Sequence, residues 1–368
     1  MNKGIFLITA SVAVMLLVNA CQQTSTAEQA SENALGANMP DIKPAVVTEP
    51  VLFDTDDPAI WVNPKDNTQS LIIGTDKNED GALYVFDLNG KIIKNKVVSG
   101  LKRPNNIDIA YGLTLNGKPT DIAITTERMT HKLRMFSLPD MKAVDHGGIP
   151  VFEGETGFEY RDLMGIAIYT AKNGNIYAIA GRKNGPKNGG YLWQYLLTDD
   201  GTGLVKATLV RKFGQYSGKK EIESIAVDNE LGYVYYSDEQ TGVRQYYADP
   251  AKGNQQLALF GTTGFKVDHE GISIYKLTDT TGYILVSDQG GNRFQIFSRE
   301  GTASNAFEHK LLKIAPVAAR QSDGSDVTAK PLNSIFKHGL FVVMSDDKTF
   351  HYYRWEDIAG KQLKLKAN

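Results

Sequence analysis

The chain has 368 residues, 42% of them apolar and 22% charged, with a formal net charge of −2. That composition is globular, allows a large core and offers no basic surface for nucleic acid. Its one cysteine, Cys21, excludes a disulfide framework and a cysteine-based zinc site.

The N-terminus speaks to compartment. Lys3 is followed by an almost unbroken apolar run over 4–18, too short to span a bilayer and suited to a signal sequence. The run ends in Val18-Asn19-Ala20-Cys21, which resembles the bacterial lipobox, whose cysteine becomes the lipidated first residue of the mature protein. The alternative is a plain signal peptide with an incidental cysteine. The expectation is a signal peptide at 1–20, a lipid anchor at Cys21 and a flexible tether over 21–48, rich in Ser, Ala, Gln and Asn. Gln22 carries no inner-membrane aspartate signal, which points to the outer membrane of a Gram-negative cell.

From residue 50 one pattern recurs: an apolar strand, a polar turn, then an alternating strand rich in aromatics. Copies start at Ser70, Thr120, Asn175, Gly232, Gly282 and Gly339. A spacing of 50 to 57 residues suits one four-stranded blade per copy. Segments such as Ala82-Leu-Tyr-Val-Phe86 alternate with period two, as antiparallel strands require. No long amphipathic helix is visible. The expected fold is all-β, a six-bladed β-propeller of four-stranded antiparallel blades over 49–368. An array of β-sandwiches is the alternative.

A second element precedes each strand pair: DDPAIWV from Asp56, NNIDIAY from Asn105, LMGIAIY from Leu163, IESIAVD from Ile222 and HEGISIY from His269. In a propeller this is the innermost strand, and its start faces the central channel. Ring symmetry then brings Asp56, Asp57, Asn106, Asp108, Glu223 and Glu270 to one mouth. Taken singly, each is an ordinary turn residue satisfying backbone donors. Together they repel one another unless a cation compensates, and an all-oxygen cluster suits hard cations, Ca2+ above all.

Asp56-Asp57-Pro58-Ala59-Ile60-Trp61, followed by Asn105-Asn106-Ile107-Asp108-Ile109, resembles the paired signatures of the β-propeller phytases. The similarity extends from about residue 50 to about 360 and includes Gly74-Thr-Asp-Lys77, Asp268-His-Glu-Gly271 and Gly282-Tyr-Ile-Leu-Val-Ser-Asp-Gln-Gly290. The resemblance implies a calcium-dependent 3-phytase; a non-catalytic calcium-stabilised propeller lipoprotein for binding and a metal-dependent propeller lactonase are the alternatives. It implies metal-site roles for Asp56, Asp57, Asn106, Asp108, Glu223, Asp268, Glu270, Gln289 and Asp323, and for Asp238 or Glu239. Lys77 and Arg128 match phosphate-contacting positions, and Arg182 and Lys183, which stand where the family has a Lys-Glu pair, would also bind substrate phosphate. Glu223 or Asp268 would orient a metal-activated water against phosphorus. The implied substrate is phytate, and the protein is expected to be a monomer. Departures from the family pattern fall at Phe53-Asp54, Ala110, Met164, Lys183 and Ala318-Ala319-Arg320, more among substrate positions than metal positions.

Overall fold

The computed structural model describes residues 30–367, so the expected signal sequence and Cys21 lie outside the described residues. Six antiparallel sheets follow one another along the chain. Blade 1 runs inside to outside through Thr55–Trp61, Leu71–Asp76, Gly81–Phe86 and Val98–Leu101. Blades 2 to 5 repeat that order, with inner strands Pro104–Leu115, Leu163–Thr170, Ile225–Asp228 and His269–Lys276. Blade 6 starts from the short inner strand Ser325–Thr328. In blade 2 the outer edge is split between Lys142–Ala143 and Ile149–Pro150, both paired with Lys132–Ser137. The expected six-bladed, four-stranded propeller is therefore the observed fold.

The ring closes with strands from both ends of the chain. Val46 and Val47 pair antiparallel with Tyr352 and His351, supplying the outer strand of blade 6. The segment expected to be a tether over 21–48 is thus docked in its later part. Ile42 N also donates to Pro316 O at 3.0 Å, and Ile314 N donates to Leu35 O at 2.8 Å. A two-residue strand carries too little pattern to be read from sequence, but it covers an edge that would otherwise stay unpaired.

The core lies between blades. Ile73 and Val85 of blade 1 pack with Ile109 and Ala123 of blade 2, whereas Ile72 and Phe86 turn the other way onto Val342 and Phe350 of blade 6. Adjacent residues on a strand face opposite sides, so middle strands buried on both faces read as continuous apolar runs. Trp61 and Trp193 are both buried in such interfaces.

Candidate metal and phosphate site

The inner strands share an irregularity that creates the site. The ladder with the second strand slips between Thr55 and Pro58, Pro104 and Ile107, Leu163 and Ile166, and His269 and Ile272. Each slip is a β-bulge, which releases two residues from the alternating ladder and re-aims their side chains. The released pairs are Asp56-Asp57, Asn105-Asn106, Met164-Gly165 and Glu270-Gly271. Two of these bulges also admit close neighbours. A Cβ on Gly165 would stand 2.2 Å from Glu223 O, and one on Gly324 would stand 2.2 Å from Asp57 Oδ1. Glycine is required there for approach, as neither residue has positive φ.

The mouth holds two linked carboxylate groups. In the first, Lys77 Nζ bonds Asp56 Oδ1 and lies 3.2 Å from Asp323 Oδ2, while Gln289 Nε2 donates to Asp323 Oδ1. Asn105 Nδ2 donates to Asp56 Oδ2 at 2.9 Å and to Glu223 Oε1 at 3.1 Å, joining blade 1 to blade 4. In the second group, Lys220 Nζ lies 2.6 Å from Glu239 Oε2, 2.8 Å from Asp268 Oδ2 and 3.8 Å from Glu270 Oε1. Oxygens of Glu239, Asp268 and Glu270 all lie within 4.8 Å of one another, and the same holds for Glu221, Glu223 and Glu239.

These groups are short of positive charge. Burial pushes the carboxyls of Glu223 and Glu239 up to about 8; Asp323 adds to the rise at Glu223, and Lys220 opposes it at Glu239. Burial also raises Asp56 against the pull of Lys77, and raises Glu270 with help from Glu239 and Glu223. Burial works against the Lys77 ammonium, but Asp56, Glu223 and Asp323 outweigh it and its pKa is raised. Among the described residues, Glu239 Oε1 and Glu270 Oε2 are buried with no hydrogen-bond partner. Orphaned buried carboxylate oxygens, with no cysteine and only oxygen donors around them, fit a hard divalent cation.

Other expected positions are placed differently. Asp57 Oδ2 accepts from Ile107 N at 3.0 Å, and Asp108 Oδ2 accepts from Ile168 N at 2.7 Å. Both acids line the channel below the mouth and tie one inner strand to the next, which fits a strut better than a metal ligand. Asn106 lines the same channel and accepts from Asn105 Nδ2 at 3.3 Å. Asp238 ends its strand with both oxygens engaged, by Ser217 and by Arg244 at 2.8 Å, so the cluster takes Glu239 and not Asp238.

The cations also divide. Arg182 is fully buried, which corrects its expected phosphate role. Its guanidinium donates to Glu155 Oε2 at 2.7 Å and to the carbonyls of Tyr160, Gly190 and Tyr191, and it covers the Phe152 ring at 4.6 Å. Four of its five N–H donors are engaged inside the protein, and its side chain, 0% exposed, does not reach a substrate. Lys183 stays at the surface of the mouth, 3.8 Å from Glu159 and 3.7 Å from Glu221. Arg128 lies 3.9 Å from Asp162. Sequence reasoning missed Asn105, Lys220 and Glu221; the string Lys219-Lys220-Glu221-Ile222-Glu223 was the available signal for the last two.

The phytase family model matches residues 4–358. The chain belongs to the phytase family. It is also similar to the 3-phytase of Bacillus subtilis (strain 168), 27% identical over 323 residues, which covers 83% of this chain and 80% of that relative. A solved structure of the Dos1 propeller aligns over 82% of this chain and 68% of its own at 12% identity, with a TM-score of 0.41. Family membership identifies the protein as a phosphoric monoester hydrolase, and the mouth just described holds its buried, under-compensated carboxylates.

Proposed function

We propose that the chain removes phosphate from phytate at this mouth, with calcium held by Asp56, Glu223, Glu239, Asp268, Glu270 and Asp323. The carrying observation is the set of carboxylates from blades 4 and 5 whose oxygens converge without enough partners, linked through Asn105 and Lys77 to Asp56 and Asp323 of blades 1 and 6. When bound, calcium would supply positive charge to the transferring phosphoryl group and make a water more acidic.

The chain's own residues do the rest. Lys183 and Arg128 come just after the second strands of blades 3 and 2, as Lys77 does in blade 1, and suit substrate phosphate, Arg through parallel bonds and Lys as a point charge. Lys77 holds Asp56 and Asp323 in place and adds charge beside them. Glu223 is fixed by Asn105 and is positioned to orient water and accept its proton; Asp268, held by Gln240 at 3.1 Å, is the alternative. Phosphoryl transfer needs mainly such positioning and charge neutralisation.

Export and lipid anchoring at Cys21, with the outer membrane as destination, belong to the same proposal and rest on the sequence around Val18-Asn19-Ala20-Cys21. Among the described residues no helix is long and apolar enough to cross a membrane.

Protein lacking the first 21 residues should release phosphate from phytate when calcium is supplied and stop when a chelator is added. Opening of lactones without phosphate release, or calcium-raised stability with no hydrolysis of any ester, would overturn the assignment.

A further inference from the structure

Lys220 occupies the place where a cation would sit. Its ammonium lies 2.6 Å from Glu239 Oε2 and 2.8 Å from Asp268 Oδ2. A calcium ion bound by those same oxygens would lie 2.3–2.6 Å from each, so the two cations cannot share them. Lys220 has somewhere to go. Its side chain is 36% exposed, and beside it opens a recess of about 330 Å³ lined by Glu159, Lys183, Lys187, Lys219, Lys220 and Glu221, among others. Lys187 makes no ion pair among the described residues.

We propose that Lys220 is a tethered counter-ion for the metal site: it holds Glu239, Asp268 and Glu270 together without metal, and metal binding moves its ammonium into the adjoining lysine-lined recess. This rests on the cation-binding reading of the mouth. The arrangement couples two sites. Each ion that enters must displace Lys220, which weakens apparent metal affinity in proportion to how well the lysine binds. The displaced ammonium joins Lys183 and Lys187 and raises the positive charge of a recess suited to a phosphate group. By linkage, an anion bound in the recess then tightens metal binding.

The orphaned oxygens Glu239 Oε1 and Glu270 Oε2 support this division of labour. One ammonium cannot satisfy three buried carboxylates, so the lysine is an incomplete substitute for a divalent ion that takes six to eight oxygens.

The test is calcium titration calorimetry on chelator-treated protein, wild type against Lys220→Met, at fixed pH. Met keeps the length of the stem and removes the charge. The variant should bind calcium about tenfold more tightly or better, and inorganic phosphate should tighten calcium binding less in the variant than in wild type. Equal or weaker calcium affinity in the variant overturns the role of Lys220 while leaving the metal site standing. No calcium binding by the wild type overturns both. Loss of folding in the variant is met by a measurement on wild type: reductive methylation of Lys220, read by mass spectrometry, should rise several-fold on adding calcium. An unchanged or lower yield overturns the proposal.

Discussion

The mouth and the channel beneath it use the same residue type for opposite ends. Both are lined by carboxylates, half-buried in the channel and buried in the mouth. In the channel, Asp57, Asp108 and Asp326 accept backbone N–H groups of the neighbouring blade, from Ile107, Ile168 and Ile60 at 2.7–3.0 Å. In the mouth, Glu239 and Glu270 retain orphaned oxygens. A carboxylate with backbone donors is a fastener between blades, whereas a buried one without them is a binding site awaiting charge. Placement relative to the bulge separates most of the two sets: Asp56 and Glu270 leave the ladder, and Asp108 and Asp326 stay on the strand.

The largest effect should come from Glu223→Gln. Losing a proton acceptor and metal oxygen should lower kcat/KM for phytate by roughly 100-fold or more, with the fold intact by circular dichroism. A fall of less than tenfold would move the water-orienting role to Asp268. Next, Asp326→Ala should strip the acceptor from Ile60 N and Val327 N. Two buried donors left unpaired should cost about 1–3 kcal/mol each, read by denaturant unfolding, while the calcium-dependent gain in Tm stays as in wild type. A lost calcium gain would place Asp326 in the metal site and leave no difference in role between channel and mouth.

The sequence showed most of the ring and only part of this distinction. Five inner strands were readable because each is an apolar run behind a polar start. The sixth, Ser325–Thr328, has four residues, half of them hydroxylated, and no comparable run. The closing strand at Val46–Val47 depends on a partner some 300 residues away and leaves no local signature. Partners invisible in the sequence explain the mixed result at the site. Asp56 and Asp57 leave the ladder together, but Asp56 meets Lys77 and Asn105 whereas Asp57 accepts from Ile107 N, so the motif alone gives them equal roles. Asp238 and Glu239 are equally alike as neighbours in sequence: the ladder stops at Asp238 paired with Gly242, and Glu239 lies just past it. Arg182 reads as a loop cation beside a Gly/Asn-rich turn, yet it is the last residue of a strand and turns inward.

A smaller effect follows from pH. Glu223 and Glu239 have folded-state carboxyls raised to about 8 from an ordinary 4.5. Their contribution to stability is full below about 4.5 and is lost as pH rises through 8, because the folded state holds protons that the unfolded state has released. Metal-free protein should therefore show a falling Tm between pH 5 and pH 8.5. A saturating divalent cation replaces those protons, so calcium should flatten the decline and its affinity should strengthen toward pH 8. A metal-free Tm that rises over this range would contradict the burial of these acids. Excess calcium at 100 times its Kd should stabilise the fold by about 2.7 kcal/mol.

The smallest contrast is between two neighbouring cations. Lys183→Ala should raise KM for phytate a few-fold and leave unfolding nearly unchanged. Arg182→Ala should instead destabilise the protein by about 3–5 kcal/mol, as breaking a buried ion pair does, without a selective rise in KM.

In the proposed mechanism the under-compensated carboxylates of the mouth are the metal site that drives phytate hydrolysis. The most direct measurement is kcat/KM for phytate against free calcium, in wild type and in Glu239→Gln. The expected result is no activity without calcium, saturable activation in wild type, and a half-activating concentration at least about tenfold higher in the variant. Calcium-independent hydrolysis, or identical activation curves for the two proteins, would contradict it.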